Sequence, residues 1–201
     1  MWFDRSRHPD ATVRRTKVFT GIAVAYFVWT AVIVSAGFGQ QAAEGVTWKR
    51  VPNDTPYRYA LVYHTAPSFT VTDLQGKSIS LDRIRGRVVV MTFFSPTCSS
   101  CVEAIDAMNR VLQMFAGENV TFINITFKSP ADLYQLFRTK PMDGVVVASQ
   151  NSVFKSYGIR DLPTHLIIDT SGEIVWAFLG TTPNIGSRIA DQINLQLGNA
   201  R

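Results

Sequence analysis

The stretch that most limits how this chain can fold is Arg87–Phe94, RVVVMTFF, together with the cysteine-bearing segment after it. A run this apolar and β-branched fits a strand buried on both faces, since a half-exposed strand would alternate. After Ser95-Pro96-Thr97 comes CSSCVEAIDAMNRVLQMF, where Cys101, Ile105, Met108, Leu112 and Phe115 recur at helical spacing and Gly117 ends the run. Val120–Thr126 reads as the next strand. Ser129-Pro130 starts a helix, with serine as the cap and proline at the first position.

Around this unit the pattern continues. Phe69–Thr72 and Ser78–Leu81 flank Gln75-Gly76, a hairpin signal. Val145–Ala148 is a short strand and Val153–Tyr157 one helical turn. Thr164–Ile168, the Ser171-Gly172 turn and Ile174–Phe178 form an antiparallel pair, and Thr182-Pro183 opens a last helix over 184–197. Strand–helix–strand, then helix, hairpin and closing helix predict an α/β domain, a mixed central sheet with helices on both faces.

The N-terminal part differs in kind. Val18–Phe38 holds no charge, and as a helix these residues span ~31 Å, the thickness of a bilayer core. The run is longer than the apolar part of a cleaved signal peptide. Residues 1–17 carry a net charge of +3 out of the chain's +5. By the positive-inside rule this predicts a cytoplasmic segment 1–17, a transmembrane helix 18–38, a linker 39–65 and an extracytoplasmic domain 66–201, periplasmic in a bacterial inner membrane. The body is nearly neutral and has no basic stripe with interleaved aromatics, which argues against a nucleic-acid partner.

The chain has two cysteines, Cys98 and Cys101. At i and i+3 on a helix they share a face, so their sulfurs can bond to each other. Such a bond closes almost no loop, which disfavours a purely structural staple. At the helix N-terminus free amides and the macrodipole favour a thiolate on Cys98, while Cys101 lies one turn deeper. This predicts that Cys98 attacks a partner disulfide and that Cys101 resolves the mixed disulfide. A zinc site would need two more ligands, and the histidines (His8, His64, His165) do not supply them convincingly; an inert pair of thiols is the plain alternative.

Three ordered motifs carry a resemblance. Ala66-Pro67-Ser68-Phe69 with Asp73-Leu74-Gln75-Gly76-Lys77 and Gly86–Val90, then SPTCSSC, then Gly158–Thr164 followed by Leu166–Asp169 resemble the redoxin family, in particular membrane-anchored TlpA/ResA-like thioredoxins, over about residues 66–198. The resemblance implies a thioredoxin-like fold and a cis peptide before Pro163. It also implies a substrate-binding surface from Leu162, Pro163, Thr164, Thr97, Ser99 and Ser100 beside catalytic Cys98 and Cys101. The chain departs from the pattern in places. Thr97 replaces a frequent aromatic, Ser99 and Ser100 replace a frequent proline-containing pair, and Ala104 replaces a frequent glutamate. Glu103 is one residue early, which rotates it by ~100° and makes it a solvated charge. The usual acid or amide on the preceding strand corresponds to Thr92. Thr92, Glu103 and His165 are the candidate supporting residues.

The leading expectation is a membrane-tethered thiol–disulfide oxidoreductase. It would need no cofactor beyond its own disulfide, exchange with protein thiol clients and take electrons from a membrane reductant. Maturation of cytochrome c or a copper oxidase is a fitting role. Two alternatives stand beside it. One is a non-catalytic accessory subunit of a membrane assembly such as a respiratory complex. The other is Sco-like delivery of Cu(I), a soft ion suited to two thiolates plus an imidazole such as His165. Peroxidase activity is disfavoured, because Pro96-Thr97 precedes a CxxC in place of a Thr-x-x-Cys arrangement.

Overall fold

The computed structural model describes residues 49–50, 59–60 and 64–199. The elements in chain order are β1 (Lys49–Arg50), β2 (Tyr59–Ala60), β3 (His64–Thr65), β4 (Thr70–Thr72), β5 (Ser78–Ser80), a 3-10 turn (Leu81–Ile84), β6 (Val88–Phe93), α1 (Ser99–Met114), β7 (Val120–Ile125), α2 (Pro130–Phe137), β8 (Val145–Val147), α3 (Asn151–Ser156), β9 (Thr164–Ile168), β10 (Glu173–Leu179) and α4 (Ile185–Asn199). Six strands form one mixed sheet in the order β3-β10-β9-β6-β7-β8. β6, β7 and β8 run parallel, and β9, β10 and β3 add antiparallel pairs.

All six residues of β6 are buried, as its unbroken apolar run predicts for a central strand. Alternation then divides its side chains between two cores. Val89, Met91 and Phe93 join Leu166 and Ile168 of β9 with Val153, Phe154 and Tyr157 around α3, and the β4–β5 hairpin closes this side with Val71 and Ile79. Val88 and Val90 join Ile167 and Phe178 against Met108, Val111 and Phe115 of α1 and its C-terminus, and Ile185, Ile189 and Ile193 of α4. Helices therefore cover both faces, as expected.

Local signals explain the element ends. At the start of α2, Ser129 accepts from the Asp132 amide and Asp132 accepts from the Ser129 amide, a reciprocal box with Pro130 beside it. The β9–β10 turn needs Gly172, whose φ of 90° favours glycine and where a Cβ would run into the Arg85 guanidinium.

Short paired segments fall within the expected linker 39–65, where the alternation of Tyr57, Tyr59 and Tyr63 also allows a short strand. His64 and Thr65 pair with Ile174 and Glu173 at the sheet edge, and Lys49–Arg50 pair with Tyr59–Ala60. Segment 39–65 thus contributes strands. An edge strand of two residues is too short to show a hydrophobic period, so only the partner strand reveals it. The segments 1–17 and 18–38 lie outside the described residues; among the described residues no helix is long and apolar enough to cross a membrane.

Candidate active site

Cys98 is the N-cap of α1, with extended backbone (φ −98°, ψ 111°), and its sulfur accepts from the Cys101 amide at 3.2 Å. This is the capping role that serine or aspartate usually fills, here performed by a sulfur. Cys98 and Cys101 form a disulfide with Cα atoms 5.2 Å apart. Because that sulfur carries no proton, the Ser100 hydroxyl 3.3 Å away is the donor to it. Cys98 is half-buried and Cys101 only 2% exposed, so an incoming nucleophile or client reaches Cys98.

The second wall comes from the far side of the chain. The Leu162–Pro163 bond is cis, as the resemblance implied, and the Leu162 carbonyl oxygen lies 3.8 Å from the Cys98 sulfur. Pro163 is buried; its carbonyl accepts from the Gly180 amide at 2.7 Å, while Thr164 Oγ1 donates to the Asp161 carbonyl at 2.7 Å. The first bond ties the loop to the end of β10 and the second closes the loop on itself, while the Leu162 carbonyl faces the Cys98 sulfur. Around the sulfurs, Phe94, Leu133, Val146 and Ala148 pack with Cys101, and Leu136, Phe137, Met142 and Leu162 border them.

Thr97 is exposed and shares a 3.0 Å hydrogen bond with Ser95, and Ser99 is exposed at the start of α1. The structure thus gathers Thr97, Cys98, Ser99, Ser100, Cys101, Leu162, Pro163 and Thr164 at one end of the sheet. Glu103 stands apart, exposed on the outer side of α1, whereas Ala104 faces inward at 3% exposure.

Thr92 and His165 meet below this surface. They are paired across β6 and β9, and Thr92 Oγ1 lies 3.1 Å from His165 Nδ1. His165 is fully buried, and desolvation lowers its pKa to about 4, so the ring is neutral near pH 7. Among the described residues no three His, Cys, Asp or Glu side chains gather as metal ligands would. Asn124, buried beside Thr92 in register, is a site residue that sequence reasoning misses; its one signal is an amide inside the apolar run of β7.

Residues 62–177 match the AhpC/TSA family. The chain belongs to that family. It is 29% identical over 119 residues to the thiol-disulfide oxidoreductase ResA of Geobacillus kaustophilus, covering 58% of this chain and 68% of that one. A ResA of Halalkalibacterium halodurans is 30% identical over 117 residues, covering 57% and 66%. Among solved structures, a thiol:disulfide interchange protein of the thioredoxin family from Chlorobium tepidum superposes with a TM-score of 0.60 at 22% identity, over 68% of this chain and 98% of that one. The fold is thioredoxin-like, and the family and its named relatives place the chain among the thiol–disulfide oxidoreductases.

Proposed function

We propose that the protein is a membrane-tethered oxidoreductase whose Cys98–Cys101 pair reduces disulfides in exported proteins. The observation that carries this reading is the asymmetry of the two sulfurs. Cys98 is half-buried at a helix cap beside the Leu162 carbonyl, and Cys101 is buried one turn inside. In the reduced protein the Cys98 thiolate attacks a client disulfide and forms a mixed disulfide. Cys101, as thiolate, then attacks the Cys98 sulfur. The client leaves with two thiols, and the protein leaves oxidised by two electrons, to be reduced again by a membrane dithiol partner. The exchange as proposed calls for no cofactor beyond the protein's own disulfide.

The uncharged run 18–38 and the basic flank before it support a single anchor with the domain outside the cytoplasm. Clients in that compartment include proteins whose cysteines must be reduced before a cofactor is loaded, such as an apocytochrome c or a copper-bearing oxidase subunit. The test is trapping. Full-length Cys101→Ser protein should hold clients as mixed disulfides on Cys98, identifiable by mass spectrometry and absent from the Cys98→Ser, Cys101→Ser double variant. An empty trap in cells that export cysteine-containing proteins overturns the reading. For the anchor, the full-length chain should resist extraction by salt and carbonate, and a chain lacking residues 1–40 should not.

A further inference from the structure

Two asparagines interrupt apolar faces, and both turn to one short segment of chain. On α1, Cys101, Ile105, Asn109 and Leu112 follow one another at helical spacing along one side. Asn109 Nδ2 donates to the Pro141 carbonyl at 2.9 Å, and Asn109 Oδ1 accepts from the Asp143 amide at 2.9 Å. On β7, Asn124 is the β8-side member of a polar row that Thr92 and His165 continue across β6 and β9. It is buried, and its Nδ2 donates to the Asp143 carbonyl at 2.9 Å. A buried amide is costly without a partner, and the segment between α2 and β8 supplies one. Lys140 Nζ also reaches Asp106 Oδ2 of α1 at 2.7 Å, a largely exposed pair that adds little.

Segment 140–144 is therefore pinned to the helix and to the sheet at once. It passes close to both. A Cβ at Gly144 would meet Leu112 Cδ1 at 2.9 Å and Phe122 Cβ at 3.3 Å, and the φ of 86° there favours glycine. Met142 stands between the two residues that Asn109 holds. It packs against the cluster of Phe94, Cys101, Leu133, Val146 and Ala148, and Leu136 and Phe137 of α2 pack on the same cluster. Val146 is the β8 partner of Asn124, so the pinned segment and the neighbours of Cys101 lie on the same side of the row. Cys101 is buried under this cover, whereas Cys98 is half-buried with its sulfur beside the Leu162 carbonyl.

We propose that Asn109 and Asn124 are positioning residues that hold Met142 and α2 as a cover over Cys101, so that outside disulfides meet Cys98 alone and Cys101 is reached only from the Cys98 sulfur. The proposal rests on the oxidoreductase reading and adds to it what fixes the order of the two attacks. With the cover in place, the Cys98 thiolate attacks the client disulfide, one client sulfur leaves as a thiolate, and the bond from Cys98 to the client forms. The Cys101 thiolate then attacks the Cys98 sulfur, the second client sulfur leaves as a thiolate, and the Cys98–Cys101 bond closes. The client disulfide gains the two electrons that the protein dithiol loses. A cover held by these hydrogen bonds opens locally, without the rest of the fold. Once it is loosened, Cys101 attacks outside disulfides directly and forms mixed disulfides on the sulfur that should resolve them.

The experiment uses two full-length parent chains with one cysteine each, Cys98→Ser and Cys101→Ser, reduced and mixed with 5,5′-dithiobis(2-nitrobenzoate) in a stopped-flow instrument. Thionitrobenzoate release reports Cys101 in the first chain and Cys98 in the second. Cys98 should react at least about a hundredfold faster, because exchange follows access and thiolate character. Adding Asn109→Ala removes two hydrogen bonds, which should raise the Cys101 rate about tenfold and leave the Cys98 rate within about twofold. Met142→Ala keeps the pins and shortens the cover, and should raise the Cys101 rate in the same selective way. Urea separates this from a general loss of stability. Local opening exposes little surface, so the Cys101 rate in Asn109→Ala should stay nearly flat in low urea, whereas global unfolding would make it climb steeply. A Cys101 rate unchanged in both variants, or one that climbs with urea as global unfolding does, overturns the proposal and leaves the oxidoreductase reading intact. Equal rates in the two parent chains, or a Cys101→Ser chain that releases no thionitrobenzoate, overturn both.

Discussion

Replacing Ser100 by alanine should raise the pKa of Cys98 in the reduced protein. Two groups donate to this sulfur, the Cys101 amide at 3.2 Å and the Ser100 hydroxyl at 3.3 Å. Both bonds strengthen when the sulfur becomes a thiolate, and the helix terminus adds to them. Together they should hold Cys98 below the free thiol value of ~8.5. A hydrogen bond to a charged group contributes ~1.5–3 kcal/mol. Ser100 is half-buried, so water recovers part of that in the variant. A remainder of ~1.4 kcal/mol is about one pKa unit. Stability should change little, within ~0.5 kcal/mol, because the hydroxyl serves the sulfur and not the fold. The assay is the pH dependence of thiolate absorbance at 240 nm, repeated as the pH dependence of iodoacetamide alkylation. A shift below about 0.3 units, or alkylation of Cys101 ahead of Cys98, would refute the account in which the cap activates Cys98.

Three further outcomes are expected. Pro163→Ala should slow reduction of a disulfide-bonded peptide roughly tenfold, ~1.4 kcal/mol of transition-state binding, because the Pro163 loop presents the Leu162 carbonyl beside the sulfur; iodoacetamide alkylation of Cys98 should change much less, and equal slowing of both would count against a client-binding role. Burial holds His165 near 4 against 6.5 when unfolded, so the unfolded chain binds more protons between those values and stability falls as pH drops through that window, by about 3 kcal/mol in all; denaturant titrations of wild type and His165→Phe from pH 7.5 to 4 should diverge there, and parallel curves would show that His165 is not the cause. Ser129→Ala breaks the box at the start of α2 and should cost ~1 kcal/mol in denaturant unfolding, with the rate of peptide reduction unchanged because α2's N-terminus holds none of the exchanging groups.

The fold was legible wherever local chemistry and burial agree. The apolar run of β6, the helical spacing of Cys101, Ile105 and Met108, and the Ser129-Pro130 start all mark their elements within a residue or two. The 3-10 turn at Leu81–Ile84 and the edge strand His64–Thr65 were not legible, since four and two residues are too few to show a period. At the site, both cysteines and the Leu162–Thr164 loop could be read from motifs. The polar row could not. Thr92, Asn124 and His165 each look like an isolated exception in an apolar strand, and only the register of β9, β6 and β7 sets them side by side. Register depends on how distant segments pair, which the order of residues along one strand does not contain.

The composition of that row bears on the reactivity of Cys98. A buried carboxylate near a thiolate raises the thiol's pKa by repulsion between like charges, and the two groups then titrate as one coupled system. Here the two positions where the resembling family carries an acid or amide hold Thr92 and Ala104, both buried, while Glu103 is exposed. In the row the group that titrates is His165, and burial keeps it neutral down to about pH 4. Cys98 therefore titrates against fixed dipoles, the Cys101 amide and the Ser100 hydroxyl, with the Cys101 thiol as the one ionising group bonded to it in the oxidised protein. With the second thiol removed by Cys101→Ser, its titration curve should follow a single pKa from pH 5 to 9, with little sensitivity to salt, since dipoles at hydrogen-bond distance are not screened as separated charges are. A two-step curve would mean that an ionising neighbour reaches the sulfur, and the cap could then no longer be taken as the sole source of its activation.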